Sequence, residues 1–185
     1  MSAAFASVDE LFAALDASRD ADDEGGLPIL DHCLQCADLL KRDYPDDVEL
    51  QVAGLVHDLG WLEREGDGWT LRVDAAHDVE GRHLVGPLLG ARVGDLVGGH
   101  VAAKRFLLAT DPAYRGLLSA RSEATLQFQG GVMTAEEADE FVAIPHSTDL
   151  VALRRADDNA KVRGKAVPGL DAWRATVDAL ASARR

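Results

Sequence analysis

The chain of 185 residues is short of cysteine, of basic charge and of uninterrupted apolar sequence, and each shortage removes a class of protein. Its two cysteines, Cys33 and Cys36, form one CxxC in the run His32-Cys33-Leu34-Gln35-Cys36. A structural zinc site needs two more soft ligands, and there is no second CxxC. Haem attachment places the His after the second Cys, and here it precedes the first. The pair therefore reads as small apolar helix residues destined for a core. Lys and Arg number 19 against 32 Asp and Glu, a net charge of −13. Such a surface repels nucleic acid and anionic lipid, so neither is expected as a partner, and an anionic substrate needs a local cation. No apolar run approaches the roughly 18–20 residues of a membrane span. Residues 1–16 have no basic start and acids interrupt their apolar stretch, which excludes a signal peptide and makes the cytoplasm the expected location.

What is present is helical pattern almost throughout. The hydrophobic fraction is 47%, enough at this length for one domain, residues 1–185, with a substantial core. Ser7-Val8-Asp9-Glu10 resembles a capping box that opens a first helix. A second helix is expected from Pro28 to Arg42, where Tyr44-Pro45 breaks it. Asp46 with Glu49 opens a third that ends near Gly60. Residues 65–72 are the one hairpin candidate. Further helices are expected over 76–89, 92–109, 120–129, 135–141, 148–162 and 170–183, punctuated by Gly130-Gly131 and Pro145. No repeat, low-complexity tract or linker interrupts them.

The chemistry lies in the histidines, of which there are six. His57-Asp58 closes an apolar helix, where a His beside an Asp is costly to desolvate unless paired or metal-bound. His32 sits among Leu30, Leu34 and Ala37, and Asp157 on a late helix. A His…His-Asp…Asp set gives one cation mixed imidazole and carboxylate ligands, which suits Fe, Mn, Co or Zn. The central Asp58 has two oxygens and is able to bridge to a second ion held by His77 and His100, with fewer protein ligands there and open positions for substrate. His83, on the helix face roughly opposite His77, and His146, after a proline, read as surface residues.

These residues match the His…His-Asp…Asp signature of the HD-domain superfamily. More closely, the chain resembles the mixed-valence di-iron HD-domain oxygenases that cleave the C–P bond of 1-hydroxylated phosphonates, relatives of inositol oxygenase. The resemblance spans about residues 30–162. It is carried by His32-Cys33-Leu34-Gln35-Cys36-Ala37, His57-Asp58-Leu59-Gly60, and His77 with Gly81. The most specific stretches are His100-Val101-Ala102-Ala103-Lys104-Arg105 followed by Gln129-Gly130-Gly131, with Leu153-Arg154-Arg155-Ala156-Asp157-Asp158 closing the set. The resemblance implies an all-α HD-type bundle around a central dinuclear site. It implies two irons, Fe(II) and Fe(III), with O2 as co-substrate and a small organophosphonate converted to phosphate and a carboxylic acid. His32, His57, Asp58 and Asp157 would hold the first iron, with Asp58 bridging to the second on His77 and His100. Lys104 would meet the phosphonate, which agrees with its place four residues after His100 on the same helix face. Gln129, with Thr125 or Ser122, would add hydrogen bonds, although helix-ending turn chemistry explains Gln129-Gly130-Gly131 almost as well.

Two departures concern the substrate. The family carries a Tyr and a Glu shortly before the first His as a lid; here the segment reads Asp22-Asp23-Glu24-Gly25-Gly26, in which Glu24 alone matches. A His often follows the HD-x-Gly, and here Trp61 stands there. Both fall where the substrate's amino end is met, so a phosphonate with a different or absent amino group fits the sequence. The alternatives are an HD phosphohydrolase acting on a nucleotide or phosphomonoester, in which the metal activates water, and a non-catalytic metal- or ligand-binding protein.

Overall fold

The structure is a computed structural model and describes residues 3–21, 26–65, 68–71 and 76–183. Among these residues the chain forms helices α1 (Val8–Ala17), α2 (Ile29–Asp43), α3 (Val48–Val56), α4 (His77–Leu89), α5 (Ala91–Thr110), α6 (Ala120–Leu126), α7 (Ala135–Ala143), α8 (Ser147–Asn159) and α9 (Arg174–Ser182). One antiparallel hairpin, β1 (Leu62–Glu65) and β2 (Gly68–Leu71), pairs Leu62 with Leu71 and Glu63 with Thr70. The fold is the all-α bundle that the pattern implied. No helix of the described residues is long and apolar enough to cross a membrane.

The caps follow the sequence with small differences. Ser7 Oγ accepts from Glu10 N (3.2 Å), but the Glu10 carboxylate reaches back to Ala6 N rather than to Ser7 N. Asp47, not Asp46, caps α3 by accepting from Leu50 N at 3.0 Å. Asp47 also accepts both terminal nitrogens of Arg92 (2.7 and 2.6 Å), and Arg92 reaches Asp149 at 2.9 Å, so one guanidinium ties the starts of α3, α5 and α8. The hairpin starts three residues before the expected 65. The expected helices over 120–129, 148–162 and 170–183 are shorter. Gln127–Gln129 and Leu170–Trp173 are 3₁₀ turns, and α8 stops at Asn159.

The core is a central stack of α2, α3, α4, α5 and α8, with α1 and α9 against it. Helix α2 is buried on nearly every side, which explains its small residues: Cys33 and Cys36 both lie fully inside and neither is in a disulfide. Between α2 and α3 the approach is close, since a Cβ on Gly54 would stand 2.6 Å from Leu40 Cδ1. The turn from α4 to α5 passes through Gly90 at φ 100°, a conformation that side chains resist.

Candidate metal centre

The third helix ends at Val56, four residues before the expected Gly60, and that early stop builds the site. Adjacent side chains on a regular helix point away from each other. Here the chain leaves the helix after His57 and closes a 3₁₀ turn, with Trp61 N donating to Asp58 O at 3.0 Å. His57 and Asp58 thereby aim at one interior point. Helix α2 brings His32 to it, the first residue of α4 brings His77, α5 brings His100, and α8 brings Asp157. All six are buried, none more than 6% exposed.

They form two groups that meet at Asp58. The donor atoms of His32, His57 and Asp157 lie within 4.8 Å of one another, as do those of Asp58, His77 and His100. Asp58 Oδ2 stands 3.5 Å from both His32 Nε2 and His57 Nε2. Its other oxygen, Oδ1, stands 3.6 Å from His77 Nε2 and 4.0 Å from His100 Nε2. His32 Nε2 is also 3.2 Å from Asp157 Oδ1. One carboxylate thus turns an oxygen to each imidazole pair.

The hydrogen bonds behind the rings fix their tautomers. Nδ1 of His32 donates to Ala160 O (3.2 Å), that of His57 to Gly54 O (2.8 Å) and that of His100 to Val97 O (2.6 Å). Each neutral ring then presents a bare Nε2 lone pair inward, the form in which imidazole binds a metal. His32 and His57 Nε2 lie 3.2 Å apart, and His77 and His100 Nε2 lie 3.0 Å apart. Between His32 and His57, whose Nδ1 atoms both donate outward, the facing lone pairs repel at that distance unless a cation lies between them. Two ligands at about 2.1 Å from a shared ion and at right angles to each other stand about 3.0 Å apart. The donor set therefore fits metal ions in both groups. His77 differs from the others: among the described residues its buried Nδ1 has no hydrogen-bond partner, and its ring is stacked on Trp61 (centroids 4.1 Å, planes at 13°).

Burial shifts the charges as a metal centre requires. It pushes the imidazoles of His77 and His100 toward the neutral form, and the neighbouring imidazoles His100 and His57 respectively push the same way. Burial opposes ionised Asp58, but the facing His57, His32 and His77 outweigh it and hold the carboxyl well below the usual range. For Asp157 burial is likewise overcome, by Arg154 and Lys161. Arg154 Nη1 donates to Asp157 Oδ2 at 2.8 Å, leaving Oδ1 for the histidines, and also pairs with Asp158.

A cavity opens on the His77–His100 side. Its wall carries Lys104, which is 2% exposed, not a solvated surface lysine. Lys104 Nζ donates to Ser122 O (3.2 Å), Thr125 Oγ1 (3.4 Å) and Gln129 Oε1. Burial, helped by Arg154, lowers its pKa to about 8. Ser122 Oγ accepts from Arg154 Nη2 at 3.3 Å. The structure thus gathers Lys104, Ser122, Thr125 and Gln129 on one wall, and the turn reading of 129–131 is seen in Gly130 and Gly131, which turn the chain at φ 95° and 71°. Glu24 lies outside the described residues. His83 is exposed and His146 half-buried, both away from the cluster. Three lining residues were not picked out from sequence: Arg121, Arg154 and Lys161. For Arg154 the available signal was its helical spacing, three residues before Asp157. A larger groove, about 640 Å³ beside Asp16, Asp31 and Lys165, holds none of the candidate ligands. Donor chemistry, not volume, marks the site.

A helical bundle with His…His-Asp…Asp inside it, and two more imidazoles on the central Asp, defines an HD-type metalloprotein. The myo-inositol oxygenase family matches residues 3–71. Hydroxymethylphosphonate dioxygenase of Gimesia maris is 36% identical over 152 residues, 80% of this chain and 75% of that protein. The [1-hydroxy-2-(trimethylamino)ethyl]phosphonate dioxygenase (glycine-betaine-forming) of Leisingera caerulea is 33% identical over 147 residues, 78% of this chain and 74% of its own. A probable inositol oxygenase of Oryza sativa is 42% identical over a short stretch of 41 residues, 22% of this chain and 13% of its own. The chain belongs to the HD-type oxygenase family that contains these phosphonate dioxygenases, and it is an enzyme of the oxygenase kind.

Proposed function

We propose that this protein is a di-iron oxygenase that cleaves the C–P bond of a small 1-hydroxylated phosphonate. The net change is R–CH(OH)–phosphonate plus O2 giving R–COOH plus phosphate, in which carbon is oxidised and both atoms of dioxygen are consumed. The observation that carries it is Asp58, one oxygen toward His32 and His57 and the other toward His77 and His100, with Lys104 on the wall of the same cavity. His32, His57, Asp58 and Asp157 would hold one iron; Asp58, His77 and His100 would hold the other.

When bound, the two irons would supply Lewis acidity and a redox relay by which the electrons of the substrate carbon reach dioxygen. The chain's own residues do the rest. Three protein donors on the His77–His100 side, against four on the other, leave room there for substrate oxygens. Lys104 meets the phosphonate with its ammonium, exchanging part of its contact with Thr125 and Gln129 for phosphonate oxygens. Those two side chains, with Ser122, complete the cradle. The walls around Trp61 and Val101 keep the reacting carbon from bulk water. Glu24 is proposed as a further substrate contact, from the segment before the first histidine. Residues 1–185 are proposed to act as one HD domain in the cytoplasm.

Aerobic incubation of the iron-loaded protein with a panel of 1-hydroxyphosphonates tests the reading. Phosphate release with matching oxygen uptake is expected. Phosphate release from a phosphomonoester without oxygen uptake would instead identify a hydrolase.

A further inference from the structure

We propose that Asp158 is a positioning residue for the metal centre. It takes the two-nitrogen edge of the Arg154 guanidinium, so that Arg154 meets Asp157 with one nitrogen and leaves the inner oxygen of Asp157 to the ion. The inference rests on the ligand set proposed above. Arg154 is 4% exposed and lies on α8 among several acceptors. Its Nε donates to Asp158 Oδ2 at 3.0 Å, and its Nη2 donates to Asp158 Oδ1. Only Nη1 goes to Asp157, where it stands 2.8 Å from Oδ2. Nε also donates to the Tyr114 hydroxyl (2.9 Å), and Nη2 to Ser122 Oγ (3.3 Å). The Tyr114 hydroxyl in turn donates to Asp158 Oδ2, which holds that carboxylate against the guanidinium.

A buried guanidinium prefers to grip a carboxylate with two parallel bonds. Here two successive carboxylates compete for that grip, and it goes to the one outside the ligand set. Successive side chains on a helix point about 100° apart. Asp157 therefore faces the histidines, with Oδ1 3.2 Å from His32 Nε2, while Asp158 faces Tyr114. The other cation near Asp157 Oδ1 is Lys161 Nζ at 3.6 Å, longer than a hydrogen bond. With a neutral side chain at 158, Asp157 becomes the best anion in reach of Arg154. The guanidinium then turns its two-nitrogen edge onto both oxygens of Asp157 and sets an N–H against the lone pair that the ion needs. Ion binding has to break that second bond.

Anaerobic calorimetric titration of the metal-free protein with Fe(II) reads ion binding without turnover. The His32–His57 group, with the larger donor set, should fill first, so the first step reports on it. Asp158→Asn, close to isosteric, should weaken that step at least about tenfold. Losing a carboxylate charge would by itself weaken the ion, and a double-mutant cycle separates the two effects. In an Arg154→Met background there is no guanidinium to turn, so adding Asp158→Asn should change the affinity by less than about threefold. The metal-free crystal structure of Asp158→Asn should show Arg154 on both oxygens of Asp157, and it decides the matter if Arg154→Met does not fold. A first step unchanged in Asp158→Asn, an equal loss in both backgrounds, or an Arg154 still on Oδ2 alone overturns the proposal. An ion held as tightly by Asp157→Asn as by wild type overturns the ligand set and the proposal with it, an outcome distinct from a cycle without coupling.

Discussion

Gly60 lies against the first turn of α4 so closely that a Cβ on it would stand 1.8 Å from the His77 carbonyl oxygen and 2.7 Å from Gly81 N. That contact joins the segment carrying His57 and Asp58 to the helix carrying His77. It sets the distance between the two imidazole groups, because Asp58 is two residues before Gly60 and must reach both.

Gly60→Ala is therefore expected to push α4 away from the His-Asp segment. Overpacking against backbone costs about 1–3 kcal/mol or more. The larger effect falls on metal: the His77–His100 group should lose its ion before the His32–His57 group does. Metal analysis beside thermal unfolding separates the two effects, and an alanine variant with full metal content contradicts this role for Gly60.

Lys104→Met removes the buried ammonium and leaves Gln129 Oε1 without its donor. The expected loss is about 3–4 kcal/mol of transition-state binding, roughly two to three orders of magnitude in kcat/KM. With a pKa near 8, Lys104 is charged below that pH and neutral above it. KM for the phosphonate should thus rise as pH passes upward through about 8. A flat KM from pH 7 to 9 contradicts the assignment.

That six residues would gather as candidate ligands was legible in sequence because metal binding demands particular side chains and His57-Asp58 are adjacent. Lys104 was legible because helical periodicity places it beside His100. The early end of α3 was not legible: residues 52–56 are apolar and helical, and only the contact of Gly60 with α4 shows why the helix has to break. The stacking of Arg121 over Trp61, 4.5 Å from guanidinium carbon to ring centre, escaped for the same kind of reason. It is a through-space contact between distant segments, and an isolated arginine in a short helix carries no pattern. Residues 65–72 signalled a hairpin, but its strands start at Leu62, a residue buried at 2% exposure that continued the apolar run of the helix before it.

Arg154 is buried between Asp157, Asp158 and Tyr114, whose hydroxyl accepts from Arg154 Nε at 2.9 Å. Arg154→Met takes from two buried carboxylates the cation they share, and a loss of about 3–5 kcal/mol is expected. Urea unfolding of the metal-free protein measures it. A change below about 1 kcal/mol would show that the network is dispensable for folding.

Arg92 joins α3, α5 and α8 through Asp47, Glu49 and Asp149. Its guanidinium holds the Asp47 carboxyl below the ordinary value against the opposing effect of burial. A depressed folded pKa contributes stability that is present above the unfolded value and lost as pH falls through the folded one. Arg92→Ala should cost about 1–3 kcal/mol at pH 7 and progressively less below about pH 4. Equal destabilisation at pH 7 and pH 3 contradicts this.

The central claim is that Asp58 bridges two irons, and low-temperature EPR with iron analysis tests it most directly. Protein loaded with iron and partly oxidised should carry two irons per chain and give a mixed-valence di-iron signal that shifts on anaerobic addition of hydroxymethylphosphonate. Asp58→Asn should abolish that signal. One iron per chain, or a mixed-valence signal that survives Asp58→Asn unchanged, contradicts the account.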